Sequence, residues 1–327
     1  MQRLGTLWAL AVGVLAGGAA AAAQDIALWH HGQPRHYLLQ APTRDAPHPA
    51  QGLLLVLHGT SMRAAQMFEH TDLPALAARE GLVLAAPQAL GSVFNDGLAA
   101  AGSAAAAVDD VAFIEAVAED ARRRSGVAAD AVYAVGFSNG GSMVQRLAIE
   151  SRYPFAGLAA VASAPRVATP GVARPVPLLL VFGQADPLNP PQGGWVWIPV
   201  PHRKPAPAAT AQQWAERLQC NGPASDTVPR PGVALRLWPQ CAGGARLGWM
   251  TISGLGHHWA GARPMPFPSF VLGPQVSAPA LGELVWAFLA SASRTSSAAP
   301  AAISAAPQPA APPGPGPAPP PNPAAAR

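Results

Sequence analysis

The stretch Ala131-Val132-Tyr133-Ala134-Val135-Gly136-Phe137-Ser138-Asn139-Gly140-Gly141 decides how the rest of the chain is read. Its first five residues are apolar and partly β-branched, which predicts a buried strand. After it, Met143, Leu147 and Ala148 recur at helical spacing, which predicts a helix over residues 142–149. Between strand and helix lies a Gly-x-Ser-x-Gly turn. The turn is so tight that the neighbours of the serine in space can carry almost no side chain, which accounts for the glycines. It lifts the Ser138 hydroxyl above the sheet. It also aims the Asn139 backbone N–H, at the helix start, toward the place where an oxyanion would form. Five residues alone also fit an ordinary glycine-rich turn, so the flanking chain has to decide.

Upstream, Gly52-Leu53-Leu54-Leu55-Val56-Leu57 is a continuous apolar run, the mark of a strand buried on both faces. It ends in His58-Gly59-Thr60-Ser61, where Thr60 is placed to offer a second backbone N–H to an oxyanion and His58 to prop the loop. Residues 62–79 read as helix, broken near Asp72-Leu73-Pro74, and residues 81–87 as the next strand. Phe94-Asn95-Asp96-Gly97 falls in a loop on the same sheet edge, and residues 99–107 read as a small-residue, flexible segment. Asp109-Asp110 then caps a helix whose stripe is Val111, Ile114, Val117, Ala118 and Ala121 and whose stop is Gly126. As caps, these paired carboxylates need no catalytic role. Nearer the N-terminus, residues 26–29 and 35–40 read as two strands joined by a turn at His31-Gly32-Gln33-Pro34. Adjacent His30 and His31 on a strand would point to opposite faces and hold no metal.

Downstream, residues 157–162 and 176–183 read as strands, and the second runs into Gln184-Ala185-Asp186. Residues 193–208 form a Trp- and Pro-rich insertion with Trp195, Trp197 and Lys204, the only lysine of the chain. A helix is predicted over 211–219, a strandless Pro-rich segment over 221–231 and a late strand over 246–252. Gly254-Leu255-Gly256-His257-His258-Trp259 follows, and Leu281, Leu284, Val285 and Phe288 mark a last helix. Strands alternating with helices predict an α/β fold with a mostly parallel central sheet flanked by helices. The candidate residues fall just past strand ends, where such sheets place their sites.

A serine is a weak nucleophile at neutral pH and needs a base, itself oriented by a carboxylate. Ser138 precedes two aspartates and three histidines. Asp186 follows a buried strand, whereas Asp226 has no strand to fix it, so Asp186 is the expected acid. His202 lies in the insertion. His257 and His258 follow the last strand in a glycine-rich turn that lets an imidazole reach back across the sheet edge.

Composition sets the frame. Half of the 327 residues are hydrophobic, 12% are charged and the net charge is +4. Basic residues are scattered apart from Arg122-Arg123-Arg124, so no nucleic-acid stripe is present. Arg3 followed by an apolar run to about Ala23 fits a signal peptide over residues 1–23 and an exported protein, secreted or periplasmic. Cys220 and Cys241 would by default form a disulfide in an oxidising compartment. Residues 24–293 make one catalytic domain, and the Ala/Pro-rich residues 294–327 a disordered tail. Nothing calls for a cofactor or metal, and the chain is expected to act as a monomer with no membrane span after cleavage.

His58-Gly59-Thr60, Asn95-Asp96-Gly97, Asp109-Asp110-Val111-Ala112-Phe113-Ile114, Gly136-Phe137-Ser138-Asn139-Gly140-Gly141, Asp186-Pro187-Leu188-Asn189-Pro190, the segment from Trp214 to Cys220, Cys241 and Gly256-His257-His258-Trp259 occur in this order. This resembles the polyhydroxybutyrate depolymerase/feruloyl esterase family of exported α/β hydrolases. The resemblance implies a secreted serine esterase with Ser138 as nucleophile, His257 as base, Asp186 as acid and Thr60 and Asn139 as oxyanion donors. It selects His257 over His258 and pairs Cys220 with Cys241. The family has proline where this chain has Ala260, and no polymer-binding domain is appended. Hydroxyalkanoate, feruloyl or acetyl esters are the implied substrates, with Trp195, Trp197 and Trp259 proposed to line their pocket. The alternatives are a non-catalytic exported binding protein and a serine peptidase.

Overall fold

The computed structural model describes residues 22–42, 50–98, 106–168, 171–197 and 201–297, the side chains only as far as residue 291. The expected signal segment lies almost wholly outside these, as do residues 99–105 and most of the expected tail; its first four residues, 294–297, instead continue the last helix. In chain order the elements are β1 (Gln24–His30), β2 (Gln33–Gln40), β3 (Gly52–Leu57), α1 (Ala64–Glu69), α2 (Leu73–Glu80), β4 (Leu82–Pro87), α3 (Asp110–Ser125), β5 (Val132–Phe137), α4 (Asn139–Glu150), β6 (Gly157–Val161), β7 (Leu178–Gly183), β8 (Gly194–Val196), β9 (His202–Lys204), α5 (Pro207–Arg217), β10 (Ser225–Arg230), β11 (Val233–Trp238), β12 (Leu247–Ile252), α6 (Ser269–Leu272) and α7 (Leu281–Ser297). The main sheet has the order β1-β2-β4-β3-β5-β6-β7-β12-β11-β10, and β8 pairs with β9 in a separate hairpin. From β4 through β12 every neighbouring pair is parallel. An antiparallel hairpin closes each flank.

The continuous apolar runs sit where both faces are covered. In β3, Leu53, Leu55 and Leu57 pack with Phe113, Ile114 and Val117 of α3, Val144 and Leu147 of α4 and Trp214 of α5. Leu54 and Val56 point the other way, into the layer of Met67, Leu73, Leu76, Leu281 and Val285 from α1, α2 and α7. That alternation is the period-2 pleat of a strand. Asp109 caps α3 by accepting from the Ala112 N–H at 3.0 Å, and Gly126 ends it in the left-handed conformation. At each parallel strand's C-terminal end a loop emerges on one edge, and β5 lies near the middle of the row.

The structure corrects four expectations. Residues 225–230 form a strand, β10, and Pro229 is tolerated there because β10 is the sheet's outermost strand. Asp226 faces Arg236 across the β10–β11 pair and takes two 2.7 Å hydrogen bonds from its guanidinium. Asp110 is no cap: its carboxylate is buried with Arg35 at 2.7 Å and accepts from the Asn95 N–H at 2.7 Å. The β1–β2 turn is only His31-Gly32, both at positive φ, so His31 leaves the strand and stacks on His30 with ring centroids 4.1 Å apart. Cys220 and Cys241 are joined in a disulfide that links the end of α5 to the loop after β11. No helix among the described residues is long and apolar enough to cross a membrane.

Candidate active site

Ser138 sits between β5 and α4 with φ 55° and ψ −118°. A side chain rarely adopts this backbone, and the cost is borne where geometry over-determines it. A Cβ on Gly136 would run into the Gly140 carbonyl, and one on Gly140 into the Leu57 carbonyl. The glycines are therefore what lets the serine stand up from the turn. The Ser138 N–H donates to the Val161 carbonyl at 2.9 Å, which ties the elbow to β6.

His257 reaches this serine from the loop after β12. The Ser138 hydroxyl donates to His257 Nε2 at 2.8 Å, and His257 Nδ1–H donates to Asp186 Oδ2 at 2.8 Å. Asp186 follows β7, the parallel neighbour of β12, so the carboxylate and the imidazole come from adjacent strand ends. The loops are locked together, since the Ala185 N–H donates to the Leu255 carbonyl at 2.8 Å. Asp186 is buried. Burial pushes its carboxyl up, but the facing imidazole and the hydrogen bonds from His257, Asn189 and the Leu188 N–H outweigh it and hold the carboxyl below its ordinary value. His258 is a structural neighbour: its Nε2 faces the Gly273 carbonyl at 3.2 Å and its Nδ1 accepts from the Met265 N–H at 3.2 Å.

Asn189 is a contributor that residue types alone did not flag. Its Nδ2 donates to Asp186 Oδ2 at 2.8 Å and to the Ala162 carbonyl at 2.9 Å, while its Oδ1 accepts from Lys204 Nζ at 2.8 Å. An ammonium can only donate, so Lys204 fixes which way the amide points.

Asn139 is held by the loop after β4. Its side-chain oxygen accepts from the Phe94 N–H at 2.8 Å, and its Nδ2 donates to the Phe94 carbonyl at 3.0 Å and to Asp96 Oδ2 at 2.9 Å. Asp110 and Arg146 clamp the same loop through the Asn95 backbone. Among the described residues neither the Thr60 nor the Asn139 backbone N–H has an intramolecular acceptor, and both residues line the cavity that holds Ser138 and His257. His58 supports the Thr60 loop. Its Nε2 accepts from the Ala89 N–H at 3.1 Å, so Nδ1 carries the proton and donates to the Gly59 carbonyl at 2.8 Å. Burial lowers the pKa of His58, which keeps it neutral.

The cavity measures about 720 Å³, a size suited to a small organic substrate. Leu90, Val93, Phe94, Leu98, Leu188 and Phe267 give it apolar walls, and Arg166, His202 and Lys204 a basic one. None of the three tryptophans expected here lines it. Trp259 is fully buried and donates from Nε1 to Asp72 Oδ1 at 2.7 Å, so it anchors the last loop to the start of α2. Trp195 and Trp197 are exposed and stack on each other with centroids 6.2 Å apart. Strand alternation explains the exchange on this hairpin: β9 turns His202 and Lys204 inward, while Trp195 of β8 turns out.

No family model matches the chain. Over 271 residues it is 32% identical to NocK of Nocardia uniformis subsp. tsuyamanensis, a protein that carries an esterase name, and the match covers 74% of this chain and 75% of NocK. Acetyl xylan esterase from Aspergillus awamori superposes with a TM-score of 0.59 over 83% of this chain and 99% of its own at 13% identity, a likeness of fold. The poly(3-hydroxybutyrate) depolymerase LpqC from Bordetella parapertussis is 21% identical over 52% of this chain and 68% of its own, with a TM-score of 0.40, too loose to carry an argument. The chain therefore has the α/β-hydrolase fold and belongs to the esterase family of NocK, a family of carboxylic ester hydrolases.

Proposed function

We propose that the protein is an exported serine esterase that works through Ser138, His257 and Asp186 by way of an acyl-enzyme. Ser138 Oγ attacks the ester carbonyl while His257 Nε2 takes its proton. The Thr60 and Asn139 N–H groups hold the oxyanion, and losing one such donor costs about 3 kcal/mol in the barrier. His257 then returns the proton to the leaving alcohol. Water repeats the cycle on the acyl-Ser138 and releases the acid. Asp186 keeps the imidazole in the tautomer that leaves Nε2 free to accept.

The observation that carries this reading is the unbroken hydrogen-bond chain from Ser138 through His257 to Asp186, opening on a mostly apolar cavity. Hydroxyalkanoate, feruloyl and acetyl esters are the proposed substrates. The test is a panel of hydroxybutyrate oligomers, methyl ferulate, acetylated xylan and p-nitrophenyl esters, run on the wild type and on Ser138→Ala. Turnover by the wild type that is lost in the variant supports the mechanism. Equal inertness of the two across the panel overturns it. Export is proposed from the N-terminal apolar run and fits the disulfide; N-terminal sequencing of the mature protein checks it, with a start near Gln24 expected.

A further inference from the structure

Two cations face the cavity beside Ser138 and His257, and neither has a carboxylate within ion-pair distance among the described residues. Lys204 projects from β9 and spends one of its three donors on Asn189 Oδ1 at 2.8 Å. Arg166, in the loop after β6, meets His202 Nε2 through Nη2 at 3.1 Å, and its Nε is buried without a hydrogen-bond partner. Because Arg166 can only donate, that His202 nitrogen accepts, so His202 is no counter-charge. The nearest acids are already engaged. Asp96 accepts from the Asn139 amide and the Leu98 N–H, and Asp186 is hydrogen-bonded to His257 and Asn189.

Withdrawing charge from water without an opposite charge is unfavourable. Lys204 shows the effect: desolvation, with the Arg166 charge adding to it, outweighs the opposing pull of the Asp186 and Asp96 carboxylates and brings its pKa down to about 8. A site that keeps two cations in this condition is complementary to an anion that arrives with the substrate.

We propose that the preferred substrate is an ester that carries a carboxylate of its own, which Arg166 and Lys204 hold while Ser138 attacks the ester carbonyl. This rests on the esterase reading and deepens it. The reaction remains hydrolysis: water adds across the acyl C–O bond, and a half-ester of a diacid yields the diacid and the alcohol. Arg166 offers a planar pair of donors suited to a carboxylate, and Lys204 a point charge beside it.

The test compares monomethyl glutarate and monomethyl adipate with their dimethyl esters, and 4-acetoxybutanoate with its methyl ester, so that the charge is placed on the acyl or the alcohol side. The expected result is a kcat/KM at least tenfold higher for one anionic series than for its neutral partner. Arg166→Gln should cut that ratio at least tenfold, and Arg166→Lys should restore part of it. Equal or lower kcat/KM for both anionic series, with neutral esters turned over, overturns the carboxylate site and leaves the esterase standing. If no ester is turned over, the esterase reading falls, and calorimetric titration with adipate decides the site. Binding weakened at least tenfold in Arg166→Gln retains the site, and no binding to the wild type removes it.

Discussion

Asn189 links the charges on either side of it: it binds Asp186 through Nδ2 and Lys204 through Oδ1. Replacing it with Ala strips a donor from a buried carboxylate, so kcat should fall roughly 10- to 100-fold, in line with about 1–3 kcal/mol for an unmade hydrogen bond. Steady-state kinetics on a neutral ester measures this. Asp186→Asn should cost more, about 10⁴-fold in kcat, because the amide favours the wrong imidazole tautomer. Lys204 gives a pH signature. Its pKa is about 8 when folded against 10.5 for an ordinary lysine. Between those values the unfolded chain binds more protons than the folded one, so stability rises with pH across the window. The wild-type melting temperature should therefore gain on that of Lys204→Met from pH 8 to 10; a constant gap would show that Nζ is well hydrated. Of these residues, Ser138, His257 and Asp186 could be read from strand ends and glycine turns. Asn189 stands inside the Asp186 motif without a role readable from sequence, because a neutral amide carries no signal until its neighbours are known.

The same division runs through the elements. The parallel strands were legible because strands buried on both faces leave uninterrupted apolar runs, as in β3 and β7. The β10–β11 hairpin was not, because β10 is exposed along nearly its whole length and carries Asp226, Pro229 and Arg230. Side-chain type also misled at the tryptophans, which were expected around the substrate. Trp259→Phe should keep substrate selectivity and lower stability by about 1–3 kcal/mol, the cost of losing one of the hydrogen bonds to the half-buried Asp72 carboxylate. Trp195→Ala should change stability by no more than about 0.5 kcal/mol, as an exposed side chain does. Chemical denaturation of both variants, with kinetics on short and aromatic esters, checks the pair.

Among the described residues a ten-stranded sheet carries helices on both faces beside the small β8–β9 hairpin, and the disulfide closes an excursion with a sequence separation of 21 that includes β10 and β11. Neither cysteine lines the cavity. The Cys220→Ser/Cys241→Ser double variant should therefore lose about 3 kcal/mol of stability by the loop-entropy account while keeping its turnover of a neutral ester. Urea melts under oxidising and reducing conditions measure the loss, and no difference between them would mean that the flank is held without the link. The spacing of the site along the chain has its own effect. Ser138 and His257 are 119 positions apart. In the proposed mechanism a ribosome finishes the attacking hydroxyl long before it makes the group that wakes it. A half-translated polypeptide thus lacks its base, and its silence follows from the order of synthesis.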